Sequence, residues 1–195
     1  MTEATATPGE SRRVVTVRLT PPSLKDNTAD ADRLRRALMQ RLDADRVRID
    51  LSLLREIPGA LRAWGYSARC LVFRDRDGHH LLDIADPASP HVMAGLAVDL
   101  GTTRVVLRLV DLASGRTLGE DAFDNPQIAV APDVLARIHH ADSAEGLAEL
   151  QAMVVEGLNR TVAAMCARAG LGPADVCLAA VAGNTAMSHL FLGIS

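Results

Sequence analysis

Residues 94–111 read Ala94-Gly95-Leu96-Ala97-Val98-Asp99-Leu100-Gly101-Thr102-Thr103-Arg104-Val105-Val106-Leu107-Arg108-Leu109-Val110-Asp111, and this stretch decides the fold. An apolar run ends in Asp99, a glycine turn with two hydroxyls follows, and a second apolar run leads away. That pattern predicts two strands joined by a tight turn, with a carboxylate and hydroxyls at its mouth. The mouth has two readings. Asp99 can organise a hydrated divalent metal while the small residues at 101–103 let the backbone approach a phosphate. Alternatively, Asp99 and Thr102 cap an ordinary hairpin.

The downstream residues extend this unit. Ala113-Ser114-Gly115 makes a turn and residues 117–123 add a third antiparallel strand, giving a meander with residues 99–103 at one end. Asn125-Pro126-Gln127 offers side chains to a ligand or to the first hairpin turn, or forms a plain Asx-Pro turn. Pro132 and Asp133 suit the first turn of a helix, with Val134, Leu135 and Ile138 as its apolar side. His139 and His140 end that helix, where histidine is favourable without any function. Ser143 opens a long helix to about residue 169, through Leu147, Leu150, Met153, Val154, Leu158, Val162, Met165 and Cys166. Gly157 weakens it and Gly170 closes it. Residues 176–182 read as a buried strand, and Gly183-Asn184-Thr185 leads into a helix at 186–192. That corner faces a ligand or is a simple capped turn. Ser188 and His189 have no acidic partner in sequence, so a serine triad is not supported.

Upstream, residues 1–12 read as a disordered leader of Thr, Ala, Glu, Pro and Gly. Residues 13–86 predict a small α+β domain. It begins with a strand at 14–19, then a helix capped by Asp30 or Asp32 with Leu34, Leu38 and Leu42 on one face. Arg33, Arg35, Arg36, Gln40 and Arg41 form its expected solvated face. A short strand at 47–49 precedes a helix at 50–64 with Asp50 or Ser52 as cap, in which Leu51, Leu54, Ile57, Leu61 and Trp64 repeat and Pro58 interrupts. A hairpin follows around Asp75-Arg76-Asp77-Gly78. His79 and His80 point to opposite faces of its strand, a poor arrangement for a metal. Residues 87–92 read as a linker and 93–195 as the second domain.

Composition removes several functions. Of 195 residues, 48% are hydrophobic and 23% charged, which is globular rather than disordered. Aromatics at 3% leave no stacking platform for single-stranded nucleic acid. Residues 1–90 carry 15 basic and 13 acidic side chains, and the remainder 6 and 11, so neither half seeks a polyanion. Lys25 is the sole lysine, which excludes a Walker-type loop. Cys70, Cys166 and Cys177 stand at no zinc or iron–sulfur spacing and suit a reducing cytoplasm. No apolar run is long enough to span a bilayer.

The order of these motifs resembles one family. Ala97-Val98-Asp99-Leu100-Gly101-Thr102-Thr103, then Leu109-Val110-Asp111-Leu112, Asn125-Pro126-Gln127, Asp133-Val134, Arg137-Ile138 and the run Val181 to Leu192 are similar to the reductive activators of corrinoid proteins. Leu19-Thr20-Pro21-Pro22-Ser23-Leu24 and the segment 51–58 resemble that family's small middle domain. The resemblance implies an α+β middle domain followed by part of a ribonuclease H-like, actin-like α/β ATPase lobe. It implies ATP and Mg as cofactors of the complete domain, with Asp99 beside the metal and Gly101, Thr102 and Thr103 as the first phosphate loop. Asn125, Gln127, Asp133, Gly183, Asn184 and Thr185 would line the interlobe cleft. The implied activity drives cobalt(II) corrinoid to cobalt(I) at the expense of ATP. Implied partners are a corrinoid protein, a ferredoxin-type electron donor and a second copy in a homodimer. Arg104 stands where the family usually has a third threonine, and no four-cysteine cluster precedes residue 14. The expected reading is therefore a truncated activator without an iron–sulfur cluster. A non-catalytic partner-binding module and a kinase-like phosphoryl transferase are the alternatives.

Overall fold

The fold is described from a computed structural model over residues 12–194. The expected leader lies outside these residues, apart from Arg12, which opens the first strand. The chain divides into two compact units, Met1–Met93 and Ala94–Ser195. Residues 86–93 contain neither helix nor strand.

The first unit comprises β1 (Arg12–Arg18), α1 (Asp30–Leu42), β2 (Val47–Ile49), α2 (Leu51–Ala63), β3 (Ser67–Asp75) and β4 (Gly78–Ala85). Its sheet runs β1-β3-β4-β2, antiparallel except where β2 lies parallel to β4. Leu34, Leu38 and Leu42 of α1 meet Leu53, Ile57 and Leu61 of α2 over Val17, Ala68, Cys70, Val72 and Leu81 of the sheet. The four-residue spacing of each leucine set builds that shared face. Burial pushes the Cys70 thiol up to about 12, so it acts as a small apolar group.

Four expectations need correcting here. Leu51 is 65% exposed, because α2 buries the 53-57-61 stripe instead. Pro58 sits inside a single helix. Neither Asp30 nor Asp32 caps α1. Ala29 holds the cap position without a side-chain bond, and Asp30 is buried in the first turn, 3.0 Å from Arg62 of α2. Asp50 at the start of α2 likewise makes no side-chain cap bond.

Arg33 also leaves the solvated face expected for it. It is buried, and its Nη1 donates to Asp26 Oδ2 at 2.6 Å, pinning the loop between β1 and α1. That bond, with the Thr28 hydroxyl and amide, holds the Asp26 carboxyl well below its ordinary value. A lowered native pKa adds stability above the unfolded value that fades as the pH falls toward the native one. Asp26→Asn should therefore lower the urea midpoint at pH 7, and the gap from the parent chain should narrow as the pH drops below about 4.

The second unit comprises β5 (Ala94–Leu100), β6 (Arg104–Asp111), β7 (Thr117–Asp124), a 3-10 turn (Pro126–Ala129), α3 (Val134–His140), α4 (Ala144–Arg168), β8 (Val176–Gly183) and α5 (Thr185–Leu192). A further 3-10 turn, Pro173–Asp175, precedes β8. The sheet runs β7-β6-β5-β8, with β5 and β8 parallel and the other pairs antiparallel. Val98, Leu100, Val105, Leu107 and Leu109 line its covered face. They pack with Leu150, Val154, Leu158, Met165 and Cys166 of α4, and with Met187 and Leu190 of α5. Ser143 caps α4 by accepting from the Gly146 N–H at 3.0 Å.

Two apolar segments depart from expectation. In α3, Leu135 is 78% and Ile138 49% exposed, while Arg137 is fully buried. Arg137 is the buried residue of that helix, with Val134 and Ala141 half-buried on the same side. Strand β8 was expected to be buried, yet it is an edge of the sheet with residues 179–183 exposed, because only β5 pairs with it among the described residues.

Gly157 has a packing role that offsets its poor helix propensity. A Cβ there would lie 2.6 Å from the Phe123 ring. Alanine gains about 1 kcal/mol in propensity, whereas overpacking costs about 1–3 kcal/mol. Gly157→Ala should therefore destabilise the unit in urea unfolding, and Phe123→Leu in the same chain should recover part of the loss.

Candidate functional site

Strands β5, β7 and β8 run in one direction, and their carboxyl ends meet at one end of the sheet. Leu100 pairs with Val105 and with Gly183, and Arg104 pairs with Asp124. The turn at 101–103, Asn125 and Asn184 are thereby gathered at that end. In open α/β sheets the crevice beyond the carboxyl ends is where ligands bind.

The turn is closed by steric necessity. A Cβ on Gly101 would sit 2.1 Å from the Arg104 carbonyl oxygen. A Cβ on Gly183 would reach 3.0 Å from the Leu100 carbonyl oxygen, so β8 ends tight against β5. Asn125 then clamps the turn from β7. Its N–H donates to the Thr103 carbonyl at 2.8 Å and its Nδ2 to the Gly101 carbonyl at 3.0 Å. Its Oδ1 accepts from the Gln127 N–H at 3.0 Å, so the Asx turn and the bond to the first hairpin coexist. Gln127 is buried and donates from Nε2 to the Leu150 carbonyl of α4 at 2.8 Å.

A second clamp comes from the β8–α5 corner. Asn184 Nδ2 donates to Thr102 Oγ1 at 3.2 Å, while Asn184 Oδ1 accepts from the Met187 N–H at 2.9 Å and caps α5. One residue thus joins the corner to the turn across 82 positions of sequence. Thr185 is exposed as the first residue of α5. Asp133 caps α3 by accepting from Ala136 N–H at 2.8 Å, and no hydrogen bond brings it to the turn.

Asp99 is exposed on the open face of the sheet, where Ala97, Val106, Arg108, Ala180 and Ala182 surround a hollow of about 380 Å3. Its carboxylate has no hydrogen bond or ion pair among the described residues. Strand alternation puts Arg104 on the same face. Its guanidinium is taken instead by Asp124 at 3.1 Å, which leaves Asp99 available. Among the described residues no group of three His, Cys, Asp or Glu side chains is placed to hold a metal. A lone carboxylate with nearby hydroxyls suits a hydrated magnesium, which takes its other oxygens from water and phosphate. The half-buried Thr102 and exposed Thr103 hydroxyls and the unpaired Asp99 fit a magnesium-bound phosphate.

Sequence reading named Arg137 only within the motif order and did not foresee its burial. Its Nε donates to the Ala131 carbonyl at 3.0 Å, and its Nη1 lies 3.1 Å from Met187 Sδ in α5. Burial lowers its proton affinity, and Asp133 opposes that effect. The available signal was the spacing of Val134, Arg137 and Ala141. His140 likewise has an unforeseen partner, Glu149 Oε2 on α4 at 2.8 Å.

The second unit is a lobe of the actin-like α/β class. Family comparison is more specific. The model of the RACo linker region matches residues 9–88, and that of the RACo middle region matches residues 94–195. The corrinoid activation enzyme RamQ of Eubacterium limosum is 30% identical over 170 residues, which is 86% of this chain and 28% of that protein. The solved structure of a reductive activator for corrinoid,iron-sulfur protein aligns with a TM-score of 0.81 at 32% identity, covering 94% of this chain and 29% of that one. The chain belongs to the RACo family of corrinoid reductive activators. It spans less than a third of the length of these two relatives. The matched models give the name linker region to the first unit and middle region to the second.

Removing the buried Asn125 amide would strand the Gly101 carbonyl and the Gln127 N–H. Asn125→Ala should cost about 1–3 kcal/mol in urea unfolding, with amide resonances of residues 101–103 displaced. Asn184→Ala, a lost helix cap, should cost about 1 kcal/mol.

Proposed function

We propose that this chain contributes the first half of a nucleotide site in an ATP-dependent reductive activator of a corrinoid protein. The observation that carries the reading is the clamped turn at residues 101–103 with an unpaired Asp99 beside it, at the carboxyl ends of three strands. Asp99 orients the water shell of a magnesium ion. The backbone and hydroxyls of Gly101, Thr102 and Thr103 hold phosphate oxygens, with Gly183, Asn184 and Thr185 forming the adjoining wall. Asn125 and Gln127 act from behind by fixing the turn. Asp133 belongs to the same reading only through the motif order. Bound ATP supplies the hydrolysis free energy that an uphill reduction requires.

The names of the two relatives support a corrinoid protein as partner and its reduction as the task. The finer expectations, cobalt(II) to cobalt(I) chemistry, a ferredoxin-type donor and a homodimer, follow from that family reading. Among the described residues no helix is long and apolar enough to cross a membrane. A partner-binding role without catalysis is favoured by one feature, the exposed Val106 on the open side of the sheet, with Val181 exposed at the β8 edge.

Calorimetric titration of the folded 195-residue chain with Mg-ATP separates the two. Micromolar binding that weakens at least about tenfold in Asp99→Ala is expected. A folded chain giving no heat removes nucleotide binding by these residues and leaves the partner-binding reading.

A further inference from the structure

The first unit has a cleft of its own, of about 500 Å3, between the end of β1 with its following loop and the flank of α1. Arg18, Thr20, Asp26, Arg33, Arg36 and Gln40 line it. The floor is built. Arg33 is only 9% exposed, with Nη1 on Asp26 and Nη2 reaching the carbonyls of Asp26 at 3.4 Å and Thr28 at 3.3 Å. Its remaining donor, Nε–H, is buried without an acceptor. Arg36 and Gln40 follow on the same flank of the helix at the next two turns. Both are exposed and, like Arg18, make no hydrogen bond or ion pair among the described residues.

The cleft is thus rich in donors and poor in acceptors. Its one carboxylate, Asp26, is engaged by Arg33 and by the Thr28 N–H at 3.1 Å. Arg18 and Arg36 stand there without a counter-charge, and one buried N–H lacks a partner. A group that satisfies this set carries negative charge and several acceptor oxygens. Guanidinium groups match such groups in a paired, planar geometry.

We propose that this cleft binds a small oxyanion, a phosphate or carboxylate group, with Arg36 as its main cation, the Arg33 Nε–H as the donor at the floor, and Gln40 and Arg18 at the rim. The site belongs to the first unit and does not depend on the nucleotide reading of the second. The test is an NMR titration of the 195-residue chain with sodium phosphate and, separately, succinate, at constant ionic strength. The Arg33 Nε–H resonance should move along a saturable isotherm. Arg36→Gln should weaken that isotherm about tenfold. Arg41→Gln, on the same helix but outside the lining, should leave it unchanged. Saturation by phosphate alone assigns a phosphoryl ligand, and saturation by succinate alone assigns a carboxylate. Saturation by both assigns an unselective oxyanion site. The proposal is overturned if neither anion gives a saturable shift, or if Arg41→Gln weakens the response as much as Arg36→Gln, which would be charge screening alone.

Discussion

A single missing carbon governs the second unit. At Gly101 the chain reverses so tightly that any side chain would collide with the Arg104 carbonyl. The reversal turns the carbonyls of Gly101 and Thr103 toward β7, where Asn125 takes the first with its side chain and bonds the second with its backbone. Gln127 then carries the restraint to α4 through the Leu150 carbonyl. The helix that covers the sheet and the turn that ends it are therefore one bonded structure. Such rigidity is what a phosphate site needs, since donors that must be reordered on binding lose part of their worth.

Two arginines show how the units satisfy polar groups in their interiors. Arg33 and Arg137 both turn inward and use backbone carbonyls as acceptors. Their charges are treated differently. Arg33 has Asp26 in contact, and its proton is held more firmly than usual. Arg137 has no carboxylate in contact and meets a thioether, so burial weakens its hold on the proton. Each leaves one nitrogen without an acceptor, Nε of Arg33 and Nη2 of Arg137. In the first unit that residue lines an open cleft. In the second it reaches from α3 to Met187 of α5.

The elements legible in the sequence were those whose pattern depends on local geometry alone. The hairpin around residues 101–103, the long helix opened by Ser143 and the strand–glycine–helix corner at 183–185 all follow from turn chemistry and period. Strand order in either sheet was not legible, because it depends on pairings distant in sequence, such as Val98 with Val181. Short helices failed for another reason. In a seven-residue helix such as α3, two apolar stripes compete, and tertiary contact with Met187 selected the one bearing Arg137. For the site, residue types placed Asp99, the turn and the 183–185 corner together through the motif order. They did not distinguish side chains that face solvent, as Thr185 does, from those that hold the turn from within, as Asn125 and Gln127 do.

Arginine beside a proposed magnesium and phosphate site appears at first to compete for its carboxylate. The cross-strand pairing removes that difficulty. On β6 the arginines at 104 and 108 face Asp124 and Glu120 of β7, at 3.1 and 2.7 Å. Both exposed pairs contribute little to stability, and their effect is one of direction. Each draws an arginine toward the β7 side of the sheet, away from β5. Asp99, opposite Val106 on β6 and Ala182 on β8, has only apolar cross-strand neighbours. An acidic group flanked in this way keeps its lone pairs for a ligand. Arg104 is thus accommodated by a carboxylate on the far strand, and the carboxylate at the mouth of the turn stays free.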